Sequence, residues 1–361
     1  MFMNAFYQLI ILSVLLSSSS ITGMISWPEG LYGLPMAING CPVDPSINWK
    51  TGTLYQDCED TDPRTQHSPD LHLNAFVKYG DVQRSFCMKT SSVNDSNRDQ
   101  WPSGKYCIYL WGKTCPSGML EGWVQWDDEN TIIIYNKNTR RGTLPTGVYG
   151  QDTRISYCCS VLGSTQTPID LPLTSPFYLI AYGSKVCQLV RGAQSSLEYI
   201  FYETEYSTFM TKNDYGGAHP YGVTRDPQGQ MIFYCYYRPI HCPALRKPDN
   251  GMLKPAHCGE NNETTFNGTC TVTCNSGYIP KNPAGQITSC LENGTWSIPI
   301  VTGCILYRLL KEEKRRRTKR VKVIFITKQS RERIAFTQPR FLPQLWFPTK
   351  GDKIQEGEPF F

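Results

Sequence analysis

The residues best suited to chemistry in this chain are an acidic triplet behind a tryptophan, Trp126-Asp127-Asp128-Glu129, following Trp123-Val124-Gln125. Carboxylates grouped this way can hold calcium, act as the acid–base pair of glycoside hydrolysis, or end a strand as turn residues. The third reading fits best, because a hard cation takes about 6–8 oxygens and no ordered ligand loop surrounds the triplet. The five histidines add little. His67 and His72 share a segment without a His-Glu-x-x-His spacing, and His219, in Gly216-Gly217-Ala218-His219-Pro220-Tyr221, reads as a turn histidine. Nucleophile elbow, phosphate loop and dinucleotide fingerprint are all absent. The chain is therefore expected not to be an enzyme and to need neither metal nor cofactor. Binding is better supplied. Trp and Tyr lie among Asn, Asp and Gln, the mixture with which sugar sites stack on C–H faces and take hydroxyls. Trp123, Trp126, Asp127, Asp128, Glu129, His219 and Tyr221 are the candidate contacts, against the competing use of aromatics to fill a β core.

The elements that must position these residues read as strands. Ile132–Tyr135, Phe177–Ile180 and Ile232–Tyr237 are β-branched and aromatic runs bounded by Gly, Pro, Asn and Asp, and helix signals are scarce. One short pattern, Pro-x-Gly-x-Tyr, recurs at Pro28–Tyr32, Pro102–Tyr106 and Pro145–Tyr149. Proline sets the first corner of a turn, glycine takes the positive φ that can follow, and the tyrosine opens an extended segment.

Compartment follows from the cysteines and the amino terminus. An apolar run from Phe6 to Leu16 precedes the small polar stretch Ser17–Gly23, as in a secretory signal over residues 1–26. The run is too short for the roughly 20 apolar residues of a membrane span. Fifteen cysteines fit an oxidising compartment, and Asn94, Asn262, Asn267 and Asn293 stand in glycosylation sequons. A secreted, extracellular protein is expected. The formal net charge is +5. From Ile305 onward fifteen Lys and Arg face six Asp and Glu, so the rest of the chain sums to −4. The basic balance belongs to the tail and gives no reason to expect a nucleic-acid partner.

The residues of the first module carry a resemblance. In order they are Trp27-Pro28-x-Gly30-x-Tyr32, Gly40-Cys41-Pro42, Phe86-Cys87, Trp101-Pro102-x-Gly104-x-Tyr106-Cys107, Cys115-Pro116-x-Gly118, Trp126–Glu129, Tyr157-Cys158-Cys159, Pro176–Leu179, Cys187-Gln188, His219–Tyr221 and Tyr234–Tyr237. Together, over residues 27–238, they resemble the apextrin C-terminal domain. That resemblance implies an extracellular module that recognises bacterial cell-wall material, peptidoglycan or muramyl peptides, or in some members serves adhesion or matrix. Cys58 falls outside the pattern and leaves an odd thiol, read either as a bridge to a second copy or as a quiet thiol among carboxylates. Cys158 and Cys159, adjacent on an extended segment, face opposite ways and should enter different bridges.

From Cys242 to Cys304 a second set follows: Cys242-Pro243, Asn250-Gly251, Cys258, Cys270-x-x-x-Cys274, Gly277-Tyr278, Cys290, Gly294-x-Trp296 and Cys304. This stretch, 241–304, resembles a sushi repeat, or complement control protein module, in the six-cysteine form found in selectins. The resemblance implies bridges Cys242–Cys290, Cys274–Cys304 and Cys258–Cys270, and a protein-binding rod or spacer able to meet a host extracellular protein. Trp296 reads as a core residue against the bridges.

The fold expected is mainly β: a disulfide-rich, sandwich-like first module, a small β sushi module, and a basic tail over 305–361 that is disordered. Within the tail Arg317 and Arg320 mark a processing site, or the run Lys314–Arg320 attracts anionic polymers. Function is expected to be secreted recognition of bacterial cell-wall polysaccharide or muropeptide in innate immunity. The alternative is an extracellular matrix or cell-adhesion protein, and a hydrolase acting through Asp127 or Asp128 ranks third.

Overall fold

The computed structural model describes residues 25–58, 64–78, 80–91, 100–128, 136–204, 211–226, 229–259, 263–281, 286–298, 303–308 and 315–318. The signal segment up to residue 24, the run Ile132–Tyr135 and nearly all of the basic tail lie outside them. Of the tail, Arg315–Thr318 form one exposed helical turn.

Residues 27–239 form a fourteen-stranded sheet. Its strands are β1 (Tyr32–Pro35), β2 (Lys50–Gln56), β3 (Gln66–His67), β4 (Ala75–Lys78), β5 (Asp81–Lys89), β6 (Tyr106–Leu110) and β7 (Leu120–Trp126). There follow β8 (Thr139–Gly142), β9 (Gly147–Tyr149), β10 (Thr153–Ser160), β11 (Phe177–Ala181), β12 (Ala193–Tyr202), β13 (Asp214–Gly217) and β14 (Gln230–Pro239). The main path runs β3-β12-β14-β11-β6-β1-β5-β2-β8, and β10 pairs with the other edge of β6 and carries β7 and β9. The sheet branches at β6 because β1 takes one half of its edge, at Tyr109 and Leu110, and β11 the other, at Tyr106 and Cys107.

Alternation along the strands builds two cores. Phe86, Met88, Cys107, Tyr109, Tyr157, Tyr178, Ile180, Ile200 and Tyr234 fill one face, while Cys87, Tyr106, Ile108, Leu110, Phe177, Leu179 and Tyr237 fill the other. Strands buried on both faces read as unbroken apolar runs, which is why β6 and β11 lack a polar alternation. The sheet is curled: Arg84 of β5 lies 5.0 Å from the Trp126 ring of β7 and 4.6 Å from the Tyr202 ring of β12, strands far apart in the path. Opposite parts of the sheet thus face each other as the layers of a sandwich do.

The recurrent turn has one structural use. Tyr32, Tyr106 and Tyr149 each donate a hydroxyl hydrogen bond to the carbonyl of the proline four residues earlier, Pro28, Pro102 and Pro145, at 3.1, 2.5 and 2.8 Å. The phenol closes the turn that the proline opens and satisfies a carbonyl that no ladder reaches.

Four disulfides staple this module: Cys41–Cys87, Cys107–Cys159, Cys115–Cys158 and Cys187–Cys235. Cys158 joins the outer core and Cys159 the inner one, so the two neighbours serve opposite faces of β10. The second module carries Cys242–Cys290, Cys258–Cys270 and Cys274–Cys304 around a three-stranded sheet of Gly251–Lys254, Thr269–Cys274 and Ile287–Ser289. Trp296 packs against this core and donates its indole N–H to the Pro243 carbonyl at 2.9 Å. The linker belongs to both modules. Ile240 donates its N–H to Gly192 O and accepts from Phe266 N, each at 2.8 Å. Gly192 has φ +74°, and a Cβ there would stand 2.1 Å from the Phe266 ring, so only glycine lets the sushi module seat its aromatic side chain.

Candidate functional site

Trp126, Asp127 and Asp128 turn inward and are at most 1% exposed. Asp128 accepts from Gln56 Nε2 at 2.7 Å, Asn138 Nδ2 at 2.7 Å and Thr153 Oγ1 at 2.5 Å, tying three segments to the end of β7. Asp127 accepts from the Lys212 backbone N–H at 2.9 Å and lies 3.6 Å from its Nζ. These carboxylates fasten loops, and burial leaves Trp126, Asp127 and Asp128 no surface to offer a ligand. Glu129 lies outside the described residues. Among the described residues there is no group of three or more His, Cys, Asp or Glu able to hold a metal ion.

Burial also changes their titration. Desolvation pushes Asp128 up to about 7 against its three hydrogen bonds, and Asp57, also desolvated and close to Asp81, up to about 6. A carboxyl raised in the folded state keeps a proton that the unfolded chain has released, so the contribution of these two groups is fullest at acidic pH and is lost as pH rises towards 7. The cost is about 1.4 kcal/mol per unit of pKa difference. Asp128→Asn is expected to flatten the pH dependence of the thermal midpoint between about pH 4 and 7. A midpoint in the wild-type protein that rises over that range, or an unchanged slope in the variant, would contradict this assignment.

Cys58 is 1% exposed, and burial, with Asp128 and Asp81 nearby, pushes its thiol well up. This corrects the bridge to a second copy: the sulfur does not reach the surface, and the thiolate that such a bridge needs is disfavoured.

Trp123 stands on the outer face of β7 over Gly216 of β13, where a Cβ would meet the indole at 2.7 Å. The Arg154 guanidinium covers the ring at 3.6 Å from its centroid. His219 packs on Tyr215 at 4.3 Å, and Tyr221 lies 5.8 Å from Phe233. Of the sequons, Asn267 and Asn293 are exposed, and Asn293 Oδ1 accepts from the Thr295 hydroxyl at 2.6 Å, while Asn94 and Asn262 lie outside the described residues. Arg317 is exposed and Arg320 lies outside the described residues.

A cleft that sequence reading missed opens at the mouth of the curled sheet. Along the inner face of β12 the order is Tyr202, Ile200, Glu198, Ser196, Gln194, and opposite them on β14 stand Gln230, Ile232, Tyr234, Tyr236 and Arg238. The apolar interior therefore becomes polar towards one end. Across that end lies the segment Ser68–His72, held by Ser68 N–H to Tyr199 O at 3.0 Å and by Tyr199 N–H to Ser68 Oγ at 2.7 Å. The resulting cleft has a volume of about 480 Å³.

Its centre is His72. The imidazole stacks on Tyr236 with centroids 4.4 Å apart and planes 5° from parallel. Its Nδ1 lies 2.7 Å from Glu198 Oε1, and Glu198 Oε2 accepts from the His72 backbone N–H at 3.1 Å and the Tyr178 hydroxyl at 2.5 Å. Burial and the adjacent Glu198 carboxylate hold the Tyr178 phenol far above its ordinary range, so it stays a donor. With Nδ1 committed, the ring presents Nε2 and one flat face to the cleft, and its side chain is 45% exposed. Arg238 stands beside it, its Nε and Nη2 fixed on Gln194 Oε1 at 3.1 and 2.6 Å. The arrangement offers a stacking platform, a positioned ring nitrogen and a guanidinium. The only sequence signal was Glu198, an acid on the same face of a strand as Ile200 and Tyr202; His72 is 126 residues away and no spacing connects them.

Comparison with known proteins adds two matches. The sequence model for the C-terminal domain of apextrin matches residues 27–237, and that for the sushi repeat matches 242–304. E-selectin of Bos taurus is 33% identical over 61 residues, 17% of this chain and 12% of that protein, so the chain spans about an eighth of that relative.

Proposed function

This chain belongs to the family of the C-terminal domain of apextrin, and from that membership and the cleft at the sheet mouth we propose that it is a secreted recognition protein of innate immunity. Disulfide-rich modules of the apextrin and sushi families are extracellular and non-catalytic, and no helix among the described residues is long and apolar enough to cross a membrane. The proposed ligand is bacterial cell-wall material, peptidoglycan or its muramyl peptides. One observation carries the reading: an imidazole backed by Tyr236 and locked by Glu198 stands beside Arg238 in an open cleft. A sugar ring stacks its C–H face on such a platform, and a muramyl carboxylate suits the guanidinium.

The test is co-sedimentation of the full chain with insoluble peptidoglycan. His72→Ala and Arg238→Ala are each expected to weaken retention about tenfold, the scale of one stacking contact or one charge-assisted hydrogen bond. Equal retention of wild type and both variants would remove the cleft from the interaction, and no retention of wild type would remove the ligand class. A clearing of the cell-wall suspension would instead revive the hydrolase reading.

A second reading is favoured by the 61-residue match to E-selectin. Adhesion or matrix attachment, with the sushi module meeting a host extracellular protein, predicts retention on host extracellular material and indifference to bacterial wall.

A further inference from the structure

The cleft does not end at the first module. A second hollow, of about 640 Å³, is lined by Gln194 and Arg238 and by Pro239, Ile240 and His241, and then by Glu263, Glu292 and Asn293 of the sushi module. Gln194 and Arg238 line both hollows, so the two adjoin across this hydrogen-bonded pair, one holding His72 and the other lying over the linker. The wall across the linker is held in place. Ile240 bonds to Gly192 and Phe266 on either side, Phe266 sits on Gly192, and Glu292 Oε1 lies 3.4 Å from the Gly192 N–H.

We propose that the sushi repeat forms one wall of the binding groove, where Glu263 and Glu292 take the free amine of a peptide-bearing cell-wall fragment while Arg238 takes a carboxylate. The proposal rests on the cell-wall reading above and extends it across the linker. Its basis is charge order along the groove. Arg238 at the centre, Asp70 in the first hollow and two exposed carboxylates on the far wall suit a ligand that carries both signs on one short chain. An uncharged glycan uses neither, and a polyanion meets repulsion at the glutamates. The stem peptide of the wall polymer, attached to its glycan and bearing both carboxylates and an amine, has the required chemistry. The sushi module then reads ligand and is more than a spacer.

The experiment titrates the full-length protein with a soluble disaccharide-tetrapeptide fragment, with the same fragment acetylated on its side-chain amine, and with a chitin tetrasaccharide. Wild type is expected to prefer the free amine. The double variant Glu263→Gln/Glu292→Gln, at exposed positions, is expected to lose about three- to tenfold in affinity for the free-amine fragment, the scale of two partly exposed ion pairs, and nothing for the acetylated one. If wild type binds and the double variant treats both fragments as wild type does, the sushi wall has no part and the inference falls while the cell-wall reading stands. If wild type binds none of the probes, that reading falls first and takes the inference with it. Equal affinity of wild type for the chitin tetrasaccharide and the free-amine fragment would also overturn it.

Discussion

Arg84→Met is expected to raise the unfolding free energy by about 1–4 kcal/mol, and Arg84→Ala to lower it by about 2–5 kcal/mol. Arg84 is 2% exposed at an inward position of β5, inside a cage of Phe86, Trp126, Tyr202 and the tyrosines around them. Its Nε, Nη1 and Nη2 pair with no protein acceptor. The cation gains from the ring faces, about 2 kcal/mol when desolvated. Against that stand the desolvation of the charge and three unsatisfied donors, each costing about 1–3 kcal/mol. Methionine keeps most of the length and volume, drops the charge and makes soft contacts with aromatic rings. Alanine leaves a cavity at the point where opposite parts of the curled sheet meet. Urea unfolding of the three proteins measures the contrast. If methionine destabilises as much as alanine, the cation over Trp126 and Tyr202 holds the curl, and filling the space does not.

The sushi module is expected to lose its fold at a reductant concentration that leaves the first module intact. Its buried cluster consists of Leu253, Cys258, Cys270, Val272 and Cys304, so three of its five members are cysteines. Two buried aliphatic side chains supply about 2–3 kcal/mol each, too little to order sixty residues. The bridges close loops with separations of 48, 30 and 12 residues. By loop entropy each contributes about 3–4 kcal/mol. The first module has two cores of large side chains, with Trp27, Trp126, Phe86 and many tyrosines fully buried. Hydrogen exchange at increasing reductant, read separately over 242–304 and 27–237, distinguishes the two. Protection of residues 242–304 that survives complete reduction would show that packing, and not the bridges, holds this module. Because Glu263 and Glu292 line the groove from that module, reduction is also expected to abolish the preference for a free amine.

The mainly β character was legible in runs such as Phe177–Ile180 and Ile232–Tyr237, because β-branched and aromatic residues bounded by turn formers suit little else. Both resemblances were legible because the spacing of Cys, Trp, Pro and Gly is a local property of the chain. The recurrent Pro-x-Gly-x-Tyr pattern marked three turns, but only the folded backbone shows each phenol bonded to its own proline carbonyl.

The acidic triplet was legible as residues that end a strand, while Asp127 and Asp128, also offered as contacts, are buried. Nothing in Trp126-Asp127-Asp128 says whether a strand end faces water or the loops packed against it, and Gln56, Asn138 and Thr153 decide that from segments up to 72 residues away. The cleft was not legible at all. His72 meets Glu198 and Tyr236 only because the sheet curls and the segment Ser68–His72 crosses its mouth. Sequence by itself determined what is set by neighbours along the chain: strand periodicity, turns, and the cysteine framework that names two families. Tertiary structure alone decided which carboxylates are buried and which polar groups share a groove, because burial and contact depend on registers between strands more than a hundred residues apart, which no local pattern encodes.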